Sequence, residues 1–139
     1  MNNKRKIVRI EPAAGGLTGL LRMKLVSAQK NRVKGRMPWS ESIVQGNGII
    51  HGGALAALAD TTGGVGAIRL AGPGTVVVTA EIKVNYFSNI KSGWVDSDAR
   101  LLHRGRMSSV WEIRLYSSGK NHKLLALAVA SYVSREAIS

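Results

Sequence analysis

Cysteine is missing from the whole of this 139-residue chain. No disulfide framework and no thiolate metal site can therefore be built, a usage that suits the reducing cytoplasm where the chain is expected to work. Aromatic residues make up 5% of the sequence. None is interleaved with the basic runs, so a base-stacking surface for nucleic acid has no signature here. Every uninterrupted apolar run falls short of the roughly 20 residues that span a bilayer, and no membrane partner is expected. The basic start, Met1 to Lys6, is followed by Ile7-Val8-Arg9-Ile10-Glu11-Pro12, whose charge and proline argue against a signal peptide. No metal-ligand spacing is present, and no metal is expected.

Acidic residues are also scarce, with eight Asp and Glu against twenty Lys and Arg for a formal net charge of +12. The imbalance is uneven. Residues 1–36 hold ten Lys or Arg against Glu11 alone, which is +9, and the remaining +3 is spread over the rest. Such a balance favours a polyanion: nucleic acid, anionic lipid, or a phosphate-bearing ligand. A solvated tail and strand face that merely keep the protein soluble explain it equally well.

Residues 1–20 read as a flexible basic arm, because Ala13-Ala14-Gly15-Gly16-Leu17-Thr18-Gly19 offers little to pack. Residues 21–139 read as one domain. Alternation over 23–30 and 32–37 predicts two strands with a turn at Lys30-Asn31, and Pro38 ends the second. Small and apolar residues over 53–70 predict a buried helix, closed by Ala71-Gly72-Pro73-Gly74. Four strands follow over 75–87, 94–102, 109–117 and 123–134, separated by turn residues. The short links predict that successive strands are antiparallel neighbours. The sum is an α+β domain with one long helix set early against an antiparallel sheet.

The stretch from Gly48 to Asp60 fits a plain core helix poorly. His51, Gly52 and Gly53 stand where the helix begins, and bare amides at a helix N-terminus favour an oxyanion. Asp60 is a lone carboxylate among Ala and Leu, a costly placement unless something pairs with it. Gly53, Ala56, Ala57 and Asp60 recur at helical spacing and share a face stripped of bulk. Gly63, Gly64 and Gly66 each lower helix propensity by roughly 1 kcal/mol relative to Ala, so close contact with another element is expected there. A buried Asp satisfied by nearby hydroxyls, and glycines that only allow a tight turn, remain the plain alternatives.

This arrangement resembles the hot-dog fold thioesterases, in particular the branch containing the phenylacetate-pathway and 4-hydroxybenzoyl-CoA thioesterases. The resemblance rests on Gly48-x-x-His51-Gly52-Gly53, on Asp60 nine residues after the histidine, and on the strand from Val78 to Tyr86. It implies a hydrolase for acyl-CoA thioesters that needs no cofactor, coenzyme A being part of the substrate. It also implies that Asp60 is the nucleophile or general base and that the Gly52 amide is the oxyanion donor. Gln45, His51 and Thr79 match positioning residues, with Gly53 beside the substrate. Gly64 stands where some relatives carry a hydroxyl. Arg104 and Arg106 are candidates for the coenzyme A phosphates, since guanidinium forks suit phosphate oxygens, although a solvated hairpin turn explains them equally.

Geometry adds a further expectation. Eight residues at about 1.5 Å rise separate Gly52 from Asp60 by roughly 12 Å, too far for both to reach one thioester. Two antiparallel helices across a two-fold axis remove the difficulty, so a homodimer or a dimer of dimers with shared sites is expected. A non-catalytic acyl-CoA sensor and a polyanion-binding protein using the basic N-terminal quarter are the competing classes.

Overall fold

Period-two burial runs through the strands that follow the helix and through the one just before it. In the computed structural model, which describes residues 16–138, those runs form one face of a six-stranded sheet. The elements are α1 (Leu17–Leu20), β1 (Lys24–Ala28), β2 (Arg32–Pro38), a 3-10 turn (Glu41–Ile43), α2 (Gly52–Ala71), β3 (Thr75–Tyr86), β4 (Trp94–Arg104), β5 (Ser108–Ser117) and β6 (Leu124–Glu136). Of the basic arm read over 1–20, residues 1–15 lie outside the described residues. Leu17 and Leu20 of α1 stay exposed.

All strand pairs are antiparallel, in the order β1-β2-β4-β5-β6-β3. This corrects the expectation that every successive pair of strands are neighbours. β3 pairs with β6 and β4 pairs with β2, so two strands stand between β3 and β4. The link from Phe87 to Gly93 is long enough for this. Seven extended residues reach about 23 Å, and three strand spacings need only about 14 Å. Leu125 O fixes the start of the link by accepting from Phe87 N (2.8 Å) and Ser88 N (3.1 Å).

The inward residues are Val33 and Met37 of β2, Val95 and Ala99 of β4, Trp111, Ile113 and Leu115 of β5, and Ala126, Ala128, Ala130 and Tyr132 of β6. α2 lies across them, burying Leu55, Leu58, Ala59 and Val65. Two of its glycines explain how closely it lies. A Cβ on Gly66 would stand 2.5–2.7 Å from the ring of fully buried Trp111, and one on Gly63 would collide with the Tyr132 hydroxyl. Gly64 is different, since a Cβ there meets Tyr132 at an ordinary 3.6 Å. A buried hydroxyl pair, Thr62 Oγ1 to Ser97 Oγ at 2.7 Å, ties the helix to β4. The helix ends at Gly72, whose φ of +83° suits glycine, with its N–H donating to Ile68 O.

The outward face of β2 and β4 is charged. Arg32 donates to both carboxylate oxygens of Asp98 (2.9 and 2.8 Å), and Arg100 adds a contact at 3.3 Å. The Arg32 hydrogen bonds hold the Asp98 carboxyl below its ordinary range, against the opposing effect of partial burial. A carboxyl depressed in the folded state adds stability above its unfolded value, near 3.9, and loses it as pH falls through the folded value. Asp98→Asn is therefore expected to lower Tm by a few degrees at pH 7. The gap to the unmodified protein should close as the medium is taken below about pH 4. Thermal melts from pH 2 to 8 check this, and a gap that persists at pH 2 contradicts it.

Candidate active site

The approach to α2 is a closed loop. Val44 and Ile50 form an isolated antiparallel bridge, Gln45 N donates to Ile49 O, and Gly48 N donates to Gln45 O, the last two at 2.9 Å. Gly48 has φ +74°, which fits the turn. Asn89, on the β3–β4 link, holds Ile50 from both sides: its Oδ1 accepts from Ile50 N (3.0 Å) and its Nδ2 donates to Ile50 O (2.8 Å). The residue before His51 is thus fixed by a side chain 39 positions away.

His51 is the N-cap. Its Nδ1 accepts from Gly53 N at 2.8 Å, which assigns the ring proton of the neutral form to Nε2. Its carbonyl accepts from Ala54 N (2.9 Å) and Leu55 N (3.3 Å). A helix start leaves four amides without intrahelical partners. Here Ile43 O accepts from His51 N (2.8 Å), the cap satisfies Gly53, and the His51 carbonyl takes Ala54 beside the regular helical bond from Leu55. Among the described residues the Gly52 N–H has no acceptor. Tyr86 seals the other side of Gly52, its hydroxyl donating to Gly52 O at 2.9 Å. The free amide lies at the positive end of a 20-residue helix.

Asp60 lies two turns further along and is half-buried. Thr79 Oγ1 donates to its Oδ1 at 2.7 Å. A register shift between Thr79 and Glu81 marks a bulge in β3, a feature that re-aims side chains next to functional positions. Thr79 lies opposite Tyr132 of β6, and the Tyr132 hydroxyl donates to the main-chain oxygen of Asp60 at 2.8 Å. Burial, followed by the nearby Asp60 charge, pushes the Tyr132 hydroxyl far above the ordinary phenol range, so it remains a donor.

Within one chain the sequence-predicted residues fall into three groups. Gln45, His51, Gly52 and Gly53 gather at the start of α2. Asp60 and Thr79 meet at its middle. Arg104 and Arg106 are exposed at the β4–β5 hairpin tip, where they flank a cleft of about 520 Å³ whose walls include Ala67, Leu70, Val77 and Tyr132. That cleft is bordered by the last turns of α2, at Ala67, Leu70 and Ala71, so Gly53 and the arginines are not brought together by one chain. Tyr86, Asn89 and Tyr132 were missed from sequence, because each acts on a residue at least 34 positions away. The described residues contain no cluster of three His, Asp or Glu that could hold a metal ion, and no helix long and apolar enough to cross a membrane.

The thioesterase superfamily profile matches residues 47–122, more than half of the chain. The chain is similar to the 1,4-dihydroxy-2-naphthoyl-CoA hydrolase of Listeria monocytogenes, 28% identical over 113 residues, covering 81% of this chain and 90% of that one. It is also similar to the proofreading thioesterase EntH of Klebsiella pneumoniae, 37% identical over 84 residues, covering 60% and 61%. Among solved structures, thioesterase HI1161 of Haemophilus influenzae has a TM-score of 0.84 at 23% identity, covering 91% of this chain and 87% of that one. That last likeness speaks to fold alone. With a long helix on a six-stranded antiparallel sheet and a family match across the helix and its first neighbouring strands, the chain belongs to the thioesterase superfamily and is a hot-dog fold thioesterase.

Proposed function

We propose that the protein hydrolyses an acyl-CoA, of aroyl type for preference, with water to the free acid and coenzyme A. Asp60 either attacks the thioester carbonyl or takes the proton of the attacking water, and Thr79 aims its carboxylate. The carbonyl oxygen gains charge against the Gly52 N–H. The observation that carries this reading is the single unengaged amide at the N-terminus of the helix that also presents a gripped carboxylate. His51 orders the loop by capping, and Gly53 leaves room for the cap, since a Cβ there would stand 3.0 Å from His51 Nδ1. Gln45 borders the reacting group, and Arg104 and Arg106 meet the phosphates. The aroyl preference is supported by the naphthoyl-CoA named for the Listeria relative.

The active unit in this reading is at least a dimer. β3 is an edge strand 12 residues long, with Val76, Val78 and Tyr86 exposed. An open edge of that length is a template for another strand. Antiparallel pairing of two β3 edges brings the Tyr86 end of one copy, which carries Gly52, toward the Thr75–Thr79 end of the other, which carries Asp60 and the arginine cleft. A two-fold at Ile82 sets Glu81 opposite Lys83 in both directions, whereas a two-fold at Lys83 would oppose like charges.

A panel of phenylacetyl-, hydroxybenzoyl- and C4–C12 acyl-CoAs, followed by thiol release, tests the proposal. Hydrolysis of at least the aroyl members well above the uncatalysed rate is the expected result. Tight binding of every member without thiol release would instead make the protein a sensor.

A further inference from the structure

The reading of Asp60 as the reactive carboxylate leaves its main chain unexplained. A mid-helix carbonyl already has an acceptor role within the helix, yet Asp60 O also receives the hydroxyl of Tyr132 at 2.8 Å. The tyrosine is 2% exposed, and the helix gives up a side chain at Gly63 to seat that hydroxyl. Its cross-strand partner is Thr79, the residue that donates to the Asp60 carboxylate. One pair of opposed residues on β3 and β6 thus holds one aspartate twice, by its side chain and by its backbone.

We infer that Tyr132 is a positioning residue for catalysis, fixing the depth and rotation of the Asp60 turn so that Thr79 can aim the carboxylate. Its ring borders the arginine cleft, but its hydroxyl is spent on the Asp60 main chain, so its effect on the reacting atoms runs through Asp60. The inference rests on the role proposed for Asp60. The strand pair supplies what a helix alone cannot, a reference point on the sheet for a group that must sit near 3 Å from the reacting carbon. Placing the anchor on the main chain leaves both carboxylate oxygens to Thr79 and the substrate.

The test is steady-state hydrolysis by the full-length protein carrying Tyr132→Phe, Thr79→Val, both, or Asp60→Asn, with rates normalised to folded protein by thermal melts. Tyr132→Phe is expected to lower kcat about ten-fold or more with KM within two-fold, since misplacement acts on the chemical step. In the double variant the second change should cost far less than it does alone, because both anchors serve one carboxylate. Gly63→Ala approaches the same contact from the helix, displacing the hydroxyl without removing it, and should reproduce the kcat loss. Unchanged kcat in both Tyr132→Phe and Gly63→Ala, or losses that simply multiply with Thr79→Val, overturns the inference and leaves Tyr132 as core packing. Wild-type turnover in Asp60→Asn would instead overturn the role of Asp60 itself, a separately readable failure.

Discussion

Asp60→Asn is expected to lower kcat by about 10³–10⁴-fold while leaving the fold and assembly intact, equivalent to about 4–5.5 kcal/mol of barrier. The size follows from what the substitution removes. Asparagine keeps the shape of the side chain, and its oxygen can still accept the 2.7 Å hydrogen bond from Thr79. Its neutral amide neither attacks a thioester carbonyl nor takes a proton from water. KM should change by a few-fold at most, because the arginines proposed for the phosphates stand at the β4–β5 hairpin tip rather than at Asp60. Removing a half-buried charge should leave Tm unchanged or slightly raised. Stopped-flow thiol detection at saturating substrate checks the rate and a melt checks the fold. Turnover within ten-fold of the unmodified protein would reassign the reactive group.

How much of this was legible beforehand depends on the range over which each residue acts. The helix and its ends follow from neighbours in sequence: His51 caps Gly53 two positions away, and Gly72 closes the last turn on Ile68. The strand segments follow from alternation for the same reason. Strand order does not. The link from Phe87 to Gly93 can join adjacent strands or cross two others, and composition does not distinguish them. What decides is the pairing of β3 with β6 and of β2 with β4. The glycines of α2 signalled close contact, but only the fold identifies Tyr132 at Gly63 and Trp111 at Gly66, and shows that Gly64 lacks a comparable constraint. Thr79 was legible only through the family resemblance. A β-branched residue in a strand carries no mark of the carboxylate it reaches, and the bulge that aims it is a property of two strands together.

Gly52→Pro is expected to abolish most turnover by deleting one hydrogen, and it decides whether sites are shared. The backbone is suited to the change. Gly52 is the first residue of α2, where proline is well tolerated because the lost N–H has no helical partner. His51 at φ −58°, ψ 134° already has the extended conformation required before proline. A Cβ at position 52 meets the Tyr86 ring at an ordinary 3.4 Å. Loss of the donor should cost about 10²–10³ in kcat. Co-expression of Gly52→Pro and Asp60→Asn chains under different tags then yields purified heterodimers. If each site takes its carboxylate from one chain and its amide from the other, one of the two sites in each heterodimer is intact and the second lacks both groups. Specific activity should recover to about half that of the unmodified dimer, although both parents are nearly inactive. If one chain supplied both groups, no heterodimer site would be whole and activity would stay at the parental floor. The roughly 12 Å of helix between residues 52 and 60 rules out a compromise, since that rise is set by the backbone rather than by side-chain choice.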